Sequence, residues 1–470
     1  MRSWTAKSLL LAAICAVSSP IQAQGTAKTG GEGRPIPTLQ DTIGTDDFTI
    51  EASIRARYES YENPFRPGNA QAADLFNLRT LVIAQYDTGP IAIGATLQDS
   101  RAYLADPGTP LGTSEINALE LLEAYVKADL GEIGGGGTST ELTAGRFVIN
   151  LGSKQLVGNP GFRNTGNGFT GAKIDWSDTT RKRSFTAFYT LPQQRLPSGR
   201  DDLLDNAIEW DRESDELVFW GGFFSMQALT PHTHLELYLY GLDDDDRIDR
   251  PTRNRNLLTP GARIYSDRGA SLFDYEVEAA YQTGTVRTSL RATAPQVDVA
   301  AYTIAAEFGY TFDTAYKLRV ALVGNLASGD HGNSTEENRF DTLFGIRRGE
   351  WGPSSSLYGP LSRNNIRDLG LRVEMKPSSR VDGFVSAHTF WLDSKTDSFA
   401  KTGIVDPAGV SGRFAGSQVE GRLRYWLVPK FLQTEIGGAV LFKGDFLEDA
   451  PNAPTSGNTR YGYIDLTLSF

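Results

Sequence analysis

The sequence has little of what a soluble enzyme or a disulfide-bonded secreted protein usually contains. Its 470 residues include one cysteine, Cys15, and four histidines. Because Cys15 lies in an apolar N-terminal stretch, removal of that stretch leaves no thiol for disulfide or catalytic chemistry. The patterns Gly-x-Ser-x-Gly and His-Glu-x-x-His and a phosphate-binding glycine loop are also missing. These absences argue against the common hydrolase, metalloprotease and nucleotide-binding classes.

Long apolar runs are missing beyond the N-terminus. The basic residues Arg2 and Lys7, a short apolar run and a cleavage site ending at Ala23 predict a secretory signal peptide over residues 1–23. That apolar run is too short to cross a bilayer as a helix. Residues 24–46 are rich in glycine, proline and threonine and have no periodicity. They are predicted to form a flexible periplasmic leader.

The chain also lacks an excess of positive charge. Its formal net charge is −11, and loss of Arg2 and Lys7 gives −11 − 2 = −13 for the mature chain. Such acidity disfavours nucleic acid or an anionic surface as a partner. The mean hydropathy of −0.31 argues against a bundle of membrane helices. It is compatible with a membrane barrel, in which half of each strand faces water.

What the sequence does contain is alternation with a period of two. At the C-terminus, Ile464, Leu466, Leu468 and Phe470 share one face of a strand, and the residues between them are polar. Residues 48–58 alternate in the same way, so pairing the two ends would leave no open sheet edge. The predicted strand segments are 47–59, 75–87, 90–100, 119–130, 139–149, 168–177, 181–191, 214–228, 231–242, 258–267, 271–284, 300–312, 315–326, 364–377, 380–393, 415–428, 431–443 and 459–470.

Short and long connections alternate along the chain. Links such as 87–89 and 177–180 are short, whereas 101–118 and 327–363 are long and polar. Outer-membrane barrels have short periplasmic turns and long external loops. We therefore predict an all-β fold, a transmembrane antiparallel β-barrel of about 18 strands, over residues 47–470. Its place would be the outer membrane of a Gram-negative bacterium, with membrane lipid around it.

Basic residues fall on the polar faces of many of these strands. An arginine on the lipid face at the bilayer midplane would cost about 2–4 kcal/mol, so these charges are expected to face the lumen. A barrel of this size is wide enough to hold water. The candidate pore-lining residues are Arg55, Arg57, Arg79, Arg146, Lys154, Arg163, Arg183, Arg372, Arg422 and Arg424.

Two interpretations of these cations remain open. Guanidinium groups bind carboxylates in a bidentate way and stay charged, so a series of moderate sites suits the passage of a carboxylated sugar. Glutamates such as Glu374 and Glu420 lie on the same strands, and for any single arginine an ion pair that holds the wall together is the favoured interpretation. Whether Arg146 lies on the lumen face or the lipid face of its strand is ambiguous, because the apolar residues Leu142 and Ala144 lie on the same face as Arg146.

Other polar clusters carry weaker signals. The glycines in residues 158–168 permit a tightly folded loop, which is either a constriction or a surface loop. Asp243–Asp246 with Asp249 suggests calcium, but the spacing of a known calcium cage is missing and a solvated acidic loop is favoured. His232 and His234 form only a His-x-His pair, for which a structural role is expected. No metal or cofactor is therefore predicted.

Residues 142–171 resemble the alginate export porin family. The matching positions are Gly145, Arg146, Gly152, Leu156, Val157, Gly158, Phe162, Arg163, Asn164, Phe169 and Gly171. Similar pieces follow in the family's order at 240–243, 261–263, 275–282, 327–330 and 390–392. The resemblance implies an 18-stranded monomeric barrel that exports a polyanionic uronate polymer through an arginine-rich constriction. The sequence departs from the family pattern at Phe147, Asn167, Thr170 and Lys173.

The sequence thus predicts an outer-membrane channel and no enzyme. Its cargo would be an anionic, alginate-like poly- or oligosaccharide, or small anionic solutes. The alternatives are a general diffusion porin without uronate specificity, an outer-membrane barrel enzyme and a soluble secreted protein that binds polysaccharide. A channel has no energy coupling of its own, so the direction of transport would depend on periplasmic export or uptake partners.

Overall fold

The computed structural model describes residues 36–247, 250–332, 335–346, 351 and 357–470. The predicted signal peptide, the first part of the predicted leader and Asp249 lie outside these residues. The end of the leader contains a short helix, α1 (Leu39–Ile43). The side chain of Gln40 donates to the carbonyl of Phe48 at 3.1 Å and accepts from the amide of Ile50 at 2.8 Å. The helix is therefore tied to the start of the first strand.

The strands form one closed sheet. They are β1 (Phe48–Glu62), β2 (Ala72–Asp87), β3 (Ile91–Tyr103), β4 (Asn117–Gly131), β5 (Thr138–Phe147), β6 (Phe169–Asp178), β7 (Arg183–Pro192), β8 (Leu217–Thr230), β9 (Thr233–Asp244), β10 (Arg255–Ser266), β11 (Leu272–Arg287), β12 (Gln296–Thr311), β13 (Arg319–Ala327), β14 (Glu336–Glu337), β15 (Ile366–Ser378), β16 (Val381–Trp391), β17 (Phe414–Val428), β18 (Leu432–Lys443) and β19 (Thr459–Ser469).

The ring closes where β1 pairs with both β2 and β19. The two-residue β14 pairs in parallel with β12, and the other 18 strands form the antiparallel wall. Each predicted segment overlaps one wall strand, so the prediction of an 18-stranded barrel is confirmed. Two further short helices, α2 (Arg200–Leu204) and α3 (Asp445–Asp449), lie in long loops. Among the described residues, none of the helices has the length and apolarity that crossing a bilayer requires.

The predicted faces of the terminal strands are also correct. Ile464 and Leu466 point outward and are 44% and 41% exposed, whereas Asp465 between them is 5% exposed. Asp465 stands opposite Arg57 in the register of β1 and β19. On β15, Leu369 faces outward in the same way. The outward side chains form the apolar band that lipid requires, and the polar ones are collected inside.

The lumen differs between its two ends. The short turns, such as 88–90 between β2 and β3, mark the periplasmic end by the usual asymmetry of such barrels. Toward the external end, lumen-facing Leu75, Phe219 and Leu441 are fully buried in a hydrophobic core that includes external loops. Toward the periplasmic end, the lumen-facing Glu51 is exposed. The lumen is therefore packed at its external end and open to solvent at its periplasmic end.

Candidate functional site

The connection between β5 and β6, residues 148–168, folds into the barrel and crosses it. Its tip, residues 161–164, contacts β1, β2 and β3, as described below. Near its start, the hydroxyl of Ser153 donates to the carboxylate of Glu278 on β11, on the opposite side of the ring. This connection therefore lies across the lumen rather than over the outer surface.

A glycine lets this connection lie close against the wall. Gly152 adopts φ +52, and a Cβ atom there would lie 2.8 Å from the carboxylate of Glu236 and 3.1 Å from the ring of Phe223. Both contacts are tighter than ordinary van der Waals packing, and the left-handed backbone adds a further cost for other residues. The family resemblance at Gly152 thus has a physical reason, since the wall of β8 and β9 leaves no room for a side chain.

A second inward segment, residues 340–346 of the connection between β13 and β15, packs against the first. Val157 and Phe344 form a parallel bridge, and the amide of Gly158 donates to the carbonyl of Phe344 at 3.1 Å. We call residues 148–168 and 340–346 together the partition. Because its two segments are joined by backbone hydrogen bonds, the partition is one continuous structure within the lumen.

Aromatic rings fill the space between the partition and one side of the wall. The ring of Phe344 lies 4.8 Å from that of Phe219 and 5.2 Å from that of Phe169. Phe219 in turn lies 5.1 Å from Phe188. Each such pair contributes roughly 0.5–1.5 kcal/mol beyond its buried area. These contacts hold the partition against β6, β7 and β8.

Three predicted pore-lining arginines meet at the tip of the partition. Arg55 donates to the carbonyl of Gly161 at 2.7 Å and to that of Arg163 at 3.0 Å. Arg79 donates to the same two carbonyls, at 3.3 and 3.1 Å. Arg57 donates to the carbonyl of Phe162 at 2.7 Å, and its guanidinium lies 3.6 Å from the centre of the Phe162 ring. The tip is therefore held through three successive carbonyls.

A neutral anchor completes the attachment of the tip. The side-chain amide of Asn164 donates to the carbonyls of Leu78, Arg101 and Glu115, at 3.3, 3.2 and 2.8 Å. Ser100 donates to the carbonyl of Asn164 at 2.6 Å. These bonds satisfy polar groups that are buried, so Asn164 fixes the position of the tip on the wall.

Two further arginines lie beside the partition. Arg163, a predicted site residue, folds back and donates to the carbonyls of Thr165 and Gly166, each at 2.9 Å. Arg195 lies in the loop between β7 and β8 and donates to the side-chain oxygen of Asn167 at 2.9 Å. The sequence analysis missed Arg195, because no periodic signal shows which loop residue will enter the lumen. With Arg55, Arg57 and Arg79, they concentrate positive charge at the tip of the partition.

The predicted site residues on the other side of the wall are paired with carboxylates. Arg372 contacts Glu374 at 2.6 Å, and Arg422 and Arg424 contact Asp382 at 3.0 and 2.7 Å. All three arginines face the lumen. Their charge is locally neutralised. The pairs of Arg422 and Arg424 with Asp382 join β17 to β16, whereas Arg372 and Glu374 lie on the same strand.

Arg146 lies at the external end of β5 and secures an external loop. It contacts Glu120 at 2.6 Å and Glu213 at 2.9 Å, and it donates to the carbonyl of Asp211 at 3.4 Å. The neighbouring Gly145 has φ +121, a backbone geometry that departs from a regular strand and accounts for the ambiguous phase of Arg146. Arg146 is therefore separate from the arginines at the tip of the partition.

The last two predicted site residues lie apart from the others. Lys154 is on the partition, half-buried, where its backbone carbonyl accepts from Ile346 at 2.9 Å. Arg183 is exposed at the periplasmic start of β7 and shares the parity of Phe185 and Tyr189, which are 40% and 61% exposed on the outer face. We therefore leave Arg183 out of the pore-lining set proposed below.

The other polar clusters have structural partners. His234 accepts from the amide of Ala228 at 3.1 Å and contacts Asp267 at 2.8 Å through its other nitrogen. Asp243 accepts from Asn256 at 2.6 Å, on the outer side of β9. Within the described ranges, no group of three or more histidine, cysteine, aspartate or glutamate side chains is arranged to hold a metal ion.

Two loop carboxyl groups near the partition have shifted pKa values. Burial raises the pKa of Glu115 to about 8, with a further increase from the charge of Glu59. Burial and the neighbouring Glu120 raise the pKa of Asp211 to about 7. Since the ordinary pKa of such groups is about 4, the folded loops bind more protons than unfolded chains between roughly pH 4 and pH 8. The attachment of these two loops to the rest of the protein therefore weakens as the pH rises through this range.

We expect this weakening to be visible at Leu196, whose amide donates to Asp211 at 2.9 Å. Hydrogen-exchange protection of this amide, corrected for intrinsic rates, should fall between about pH 5 and about pH 8.5. Asp211→Asn keeps an oxygen acceptor without the titrating charge, so the fall at Leu196 should become smaller in that variant. An unchanged fall in Asp211→Asn would contradict the assignment.

The fold resembles known outer-membrane proteins. OccK8 (OprE) of Pseudomonas aeruginosa aligns with a TM-score of 0.57 and 11% identity, over 90% of this chain and 98% of that chain. OpdK of the same organism, solved with vanillate, aligns with a TM-score of 0.56 and 12% identity, over 90% and 99%. OpdO aligns with a TM-score of 0.56 and 14% identity, over 90% and 97%. At these identities the similarity concerns the fold alone.

Sequence comparison adds the family. No curated protein is significantly similar to the chain. The sequence profile of the family described as alginate export, however, matches residues 47–460, which covers the barrel from its first strand into its last. The resemblance inferred from residues 142–171 is thereby confirmed. The chain belongs to the alginate export family, as an outer-membrane β-barrel of a Gram-negative bacterium.

Proposed function

We propose that this channel passes an anionic poly- or oligosaccharide, alginate-like in its carboxylate chemistry, or small anionic solutes. The observation that carries the proposal is the charge at the partition. Arg79 and Arg195 donate there to neutral oxygens, and neither forms an ion pair within the described part of the chain. Cations without a carboxylate partner beside the barrier favour anions in the lumen.

The arrangement also suits passage rather than tight binding. The cations at the tip are spread over β1, β2 and two loops, so a carboxylated polymer would meet several moderate sites in succession. Guanidinium binds each carboxylate in a bidentate way and stays charged in the lumen. Because the lumen is open toward the periplasm, a periplasmic partner that delivers or receives the solute fits this end.

A general diffusion porin remains the second candidate. It is favoured by the ion pairs of Arg372, Arg422 and Arg424, which neutralise much of the cationic wall. An anion-specific channel and a general porin differ in selectivity, so ion permeation distinguishes them. An outer-membrane enzyme, the third alternative from the sequence, is not favoured by the contacts at the partition, which are those of a docked loop.

The test is planar-bilayer recording with a salt gradient and added oligo-uronate. The wild-type reversal potential is expected to show anion selectivity, and oligo-uronate is expected to block the current. Arg79→Gln combined with Arg195→Gln should weaken the block roughly tenfold or more, since hydrogen bonds to charged groups contribute about 1.5–3 kcal/mol. Arg268→Gln removes one arginine charge at a periplasmic turn, where the side chain is 47% exposed and pairs with Glu307, and serves as the control for each single substitution. Cation selectivity without block would instead support the general porin.

A further inference from the structure

We propose that Arg55 and Arg79 form a carboxylate site that the resting protein fills with carbonyls of its own partition. An anionic ligand would take this site and loosen the tip of the partition. The inference rests on the proposed function, because it requires an anionic ligand in the lumen. The further claim is that the bound ligand alters the position of the partition tip, in addition to passing through the channel.

The first observation is the position of the two arginines. Arg55 and Arg79 stand directly opposite each other in the register of β1 and β2. Like charges placed directly opposite on neighbouring strands are destabilising. Asp465 is the nearest carboxylate and approaches only Arg55, at 3.7 Å. The pair is therefore short of negative charge.

The second observation is the geometry of the acceptors. The carbonyl oxygens of Gly161 and Arg163 each accept from both guanidiniums, at 2.7 to 3.3 Å. A carboxylate bound between the two guanidiniums would also present two oxygens, each of which accepts from both arginines. The two carbonyl oxygens therefore have the same pattern of contacts as a carboxylate. The buried Nε donors of Arg55 and Arg79 have no hydrogen-bond acceptor in the described structure. The tip thus occupies the position of a ligand but leaves these two Nε donors without an acceptor.

A carboxylate would bind this site better than the carbonyls do. Hydrogen bonds with an ionised acceptor are roughly twice as strong as those with a neutral one. The carboxylate would also offset the repulsion between the two guanidiniums, which neutral carbonyls do not. Exchange of carbonyls for a carboxylate is therefore favourable wherever the ligand can reach the pair.

The ligand reaches the pair from the periplasmic side. On the periplasmic side of Arg55 and Arg79, the lumen-facing Glu51 is exposed, and Ser53 and Leu81 are half-buried. Above the tip, the lumen-facing Leu75 is fully buried. Within the described residues, solvent, and with it a soluble anion, therefore reaches the pair from the periplasmic side.

Exchange would leave the tip attached but looser. The ligand removes the four hydrogen bonds to carbonyls, two from each guanidinium, and competes with a fifth, which Arg55 donates to the side-chain oxygen of Asn164 at 3.3 Å. Arg57 keeps its own carboxylate, Asp465, at 2.7 Å and continues to hold Phe162. Asn164 keeps its neutral anchors. The expected change is a wider distribution of tip positions, and not a detached loop.

Spin labels can measure this distribution. The mature chain has no native cysteine, so Gly161→Cys and Thr88→Cys place one label on the tip and one in the turn between β2 and β3. A Cβ atom at Gly161 would meet no heavy atom within 4 Å, so the substitution is tolerated there. Pulsed dipolar spectroscopy then gives the distance distribution with oligogalacturonate, and with a neutral maltooligosaccharide of the same length.

We expect oligogalacturonate to broaden the distribution and the neutral sugar to leave it unchanged. Arg79→Gln should show the broad distribution without ligand and no further change with it. Arg79→Lys keeps the charge but replaces the planar guanidinium with an ammonium group, which does not bind a carboxylate in a bidentate way, so it should fall between the two. Arg268→Gln should behave as the wild type. Heat-modifiable gel mobility confirms that each variant is folded.

The outcomes separate the inference from the proposed function. An unchanged or narrower distribution at an oligogalacturonate concentration that blocks the current overturns the inference and leaves the anion channel standing. Broadening by the neutral sugar as well overturns the carboxylate site. An unchanged distribution together with cation selectivity and no block overturns both.

Discussion

Arg57→Ala is expected to lower the free energy of unfolding of the barrel by about 3–5 kcal/mol, the usual cost of breaking a buried ion pair from one side. Arg57 is 1% exposed and lies 2.7 Å from Asp465 across the closing strands β1 and β19. Glu59 lies 3.8 Å away and is also buried. Removal of Arg57 leaves these carboxylates without their main counter-charge, and it releases the carbonyl and ring of Phe162.

Urea unfolding in detergent or lipid, followed by heat-modifiable gel mobility, measures this loss. Arg181→Ala is the matched control, because its pair with Asp178 is of similar length at 3.0 Å but Arg181 is 67% exposed. Pairs in that setting contribute about 0–1 kcal/mol. Equal losses in the two variants would show that the closing ion pair has no special role.

Gly345→Ala is expected to raise the single-channel conductance severalfold. A Cβ atom at Gly345 would lie 1.7 Å from the carbonyl oxygen of Gln155 and 3.0 Å from the Cα of Leu156. Backbone atoms cannot move aside as a flexible side chain does, so the two segments of the partition must separate. The substitution should also destabilise the protein by roughly 1–3 kcal/mol, as overpacking usually does.

Planar-bilayer recording of the refolded variant tests this expectation. Gly136→Ala is the control, since a Cβ atom in that periplasmic turn meets no heavy atom within 4 Å. Its conductance should equal that of the wild type. A wild-type conductance in Gly345→Ala would mean that the contact between Gly345 and Gln155 does not control permeation.

The alternation of apolar and polar residues predicts which side chains of the wall face lipid. It does not predict side-chain direction where the backbone departs from a regular strand. The outer position of Ile464 follows from the alternation, because each strand has one lipid face and one aqueous face. Arg146 follows a glycine with φ +121, and Arg183 is the first residue of its strand, where a turn sets the side-chain direction. The fold therefore followed from the sequence, and the exceptions lie at strand ends.

The partners of the lumen arginines were not predictable in the same way. Arg55 and Arg372 both lie on inward faces, yet one binds loop carbonyls and the other binds Glu374. This difference depends on which long loop enters the barrel, and loop sequences carry no period that reveals it. The same reason applies to Arg195, which reaches the partition from a separate connection.

Arg195 also clarifies one departure from the family pattern. The family resemblance leads one to expect an arginine at position 167, where this chain has asparagine. The guanidinium of Arg195 lies 2.9 Å from the side-chain oxygen of Asn167. A cation is thus present at the same place in the lumen, although a different loop provides it.

The pair of Arg57 and Asp465 has a consequence for assembly. The two residues are separated by 408 positions in the sequence, and they meet only when the last strand joins the first. Contacts between such distant residues form late, because the chain must first lose the entropy of closing a very long loop. Arg57 also holds Phe162 in the partition. The partition is therefore expected to reach its final position only after the ring has closed, so that the permeability of the channel is set at the end of assembly.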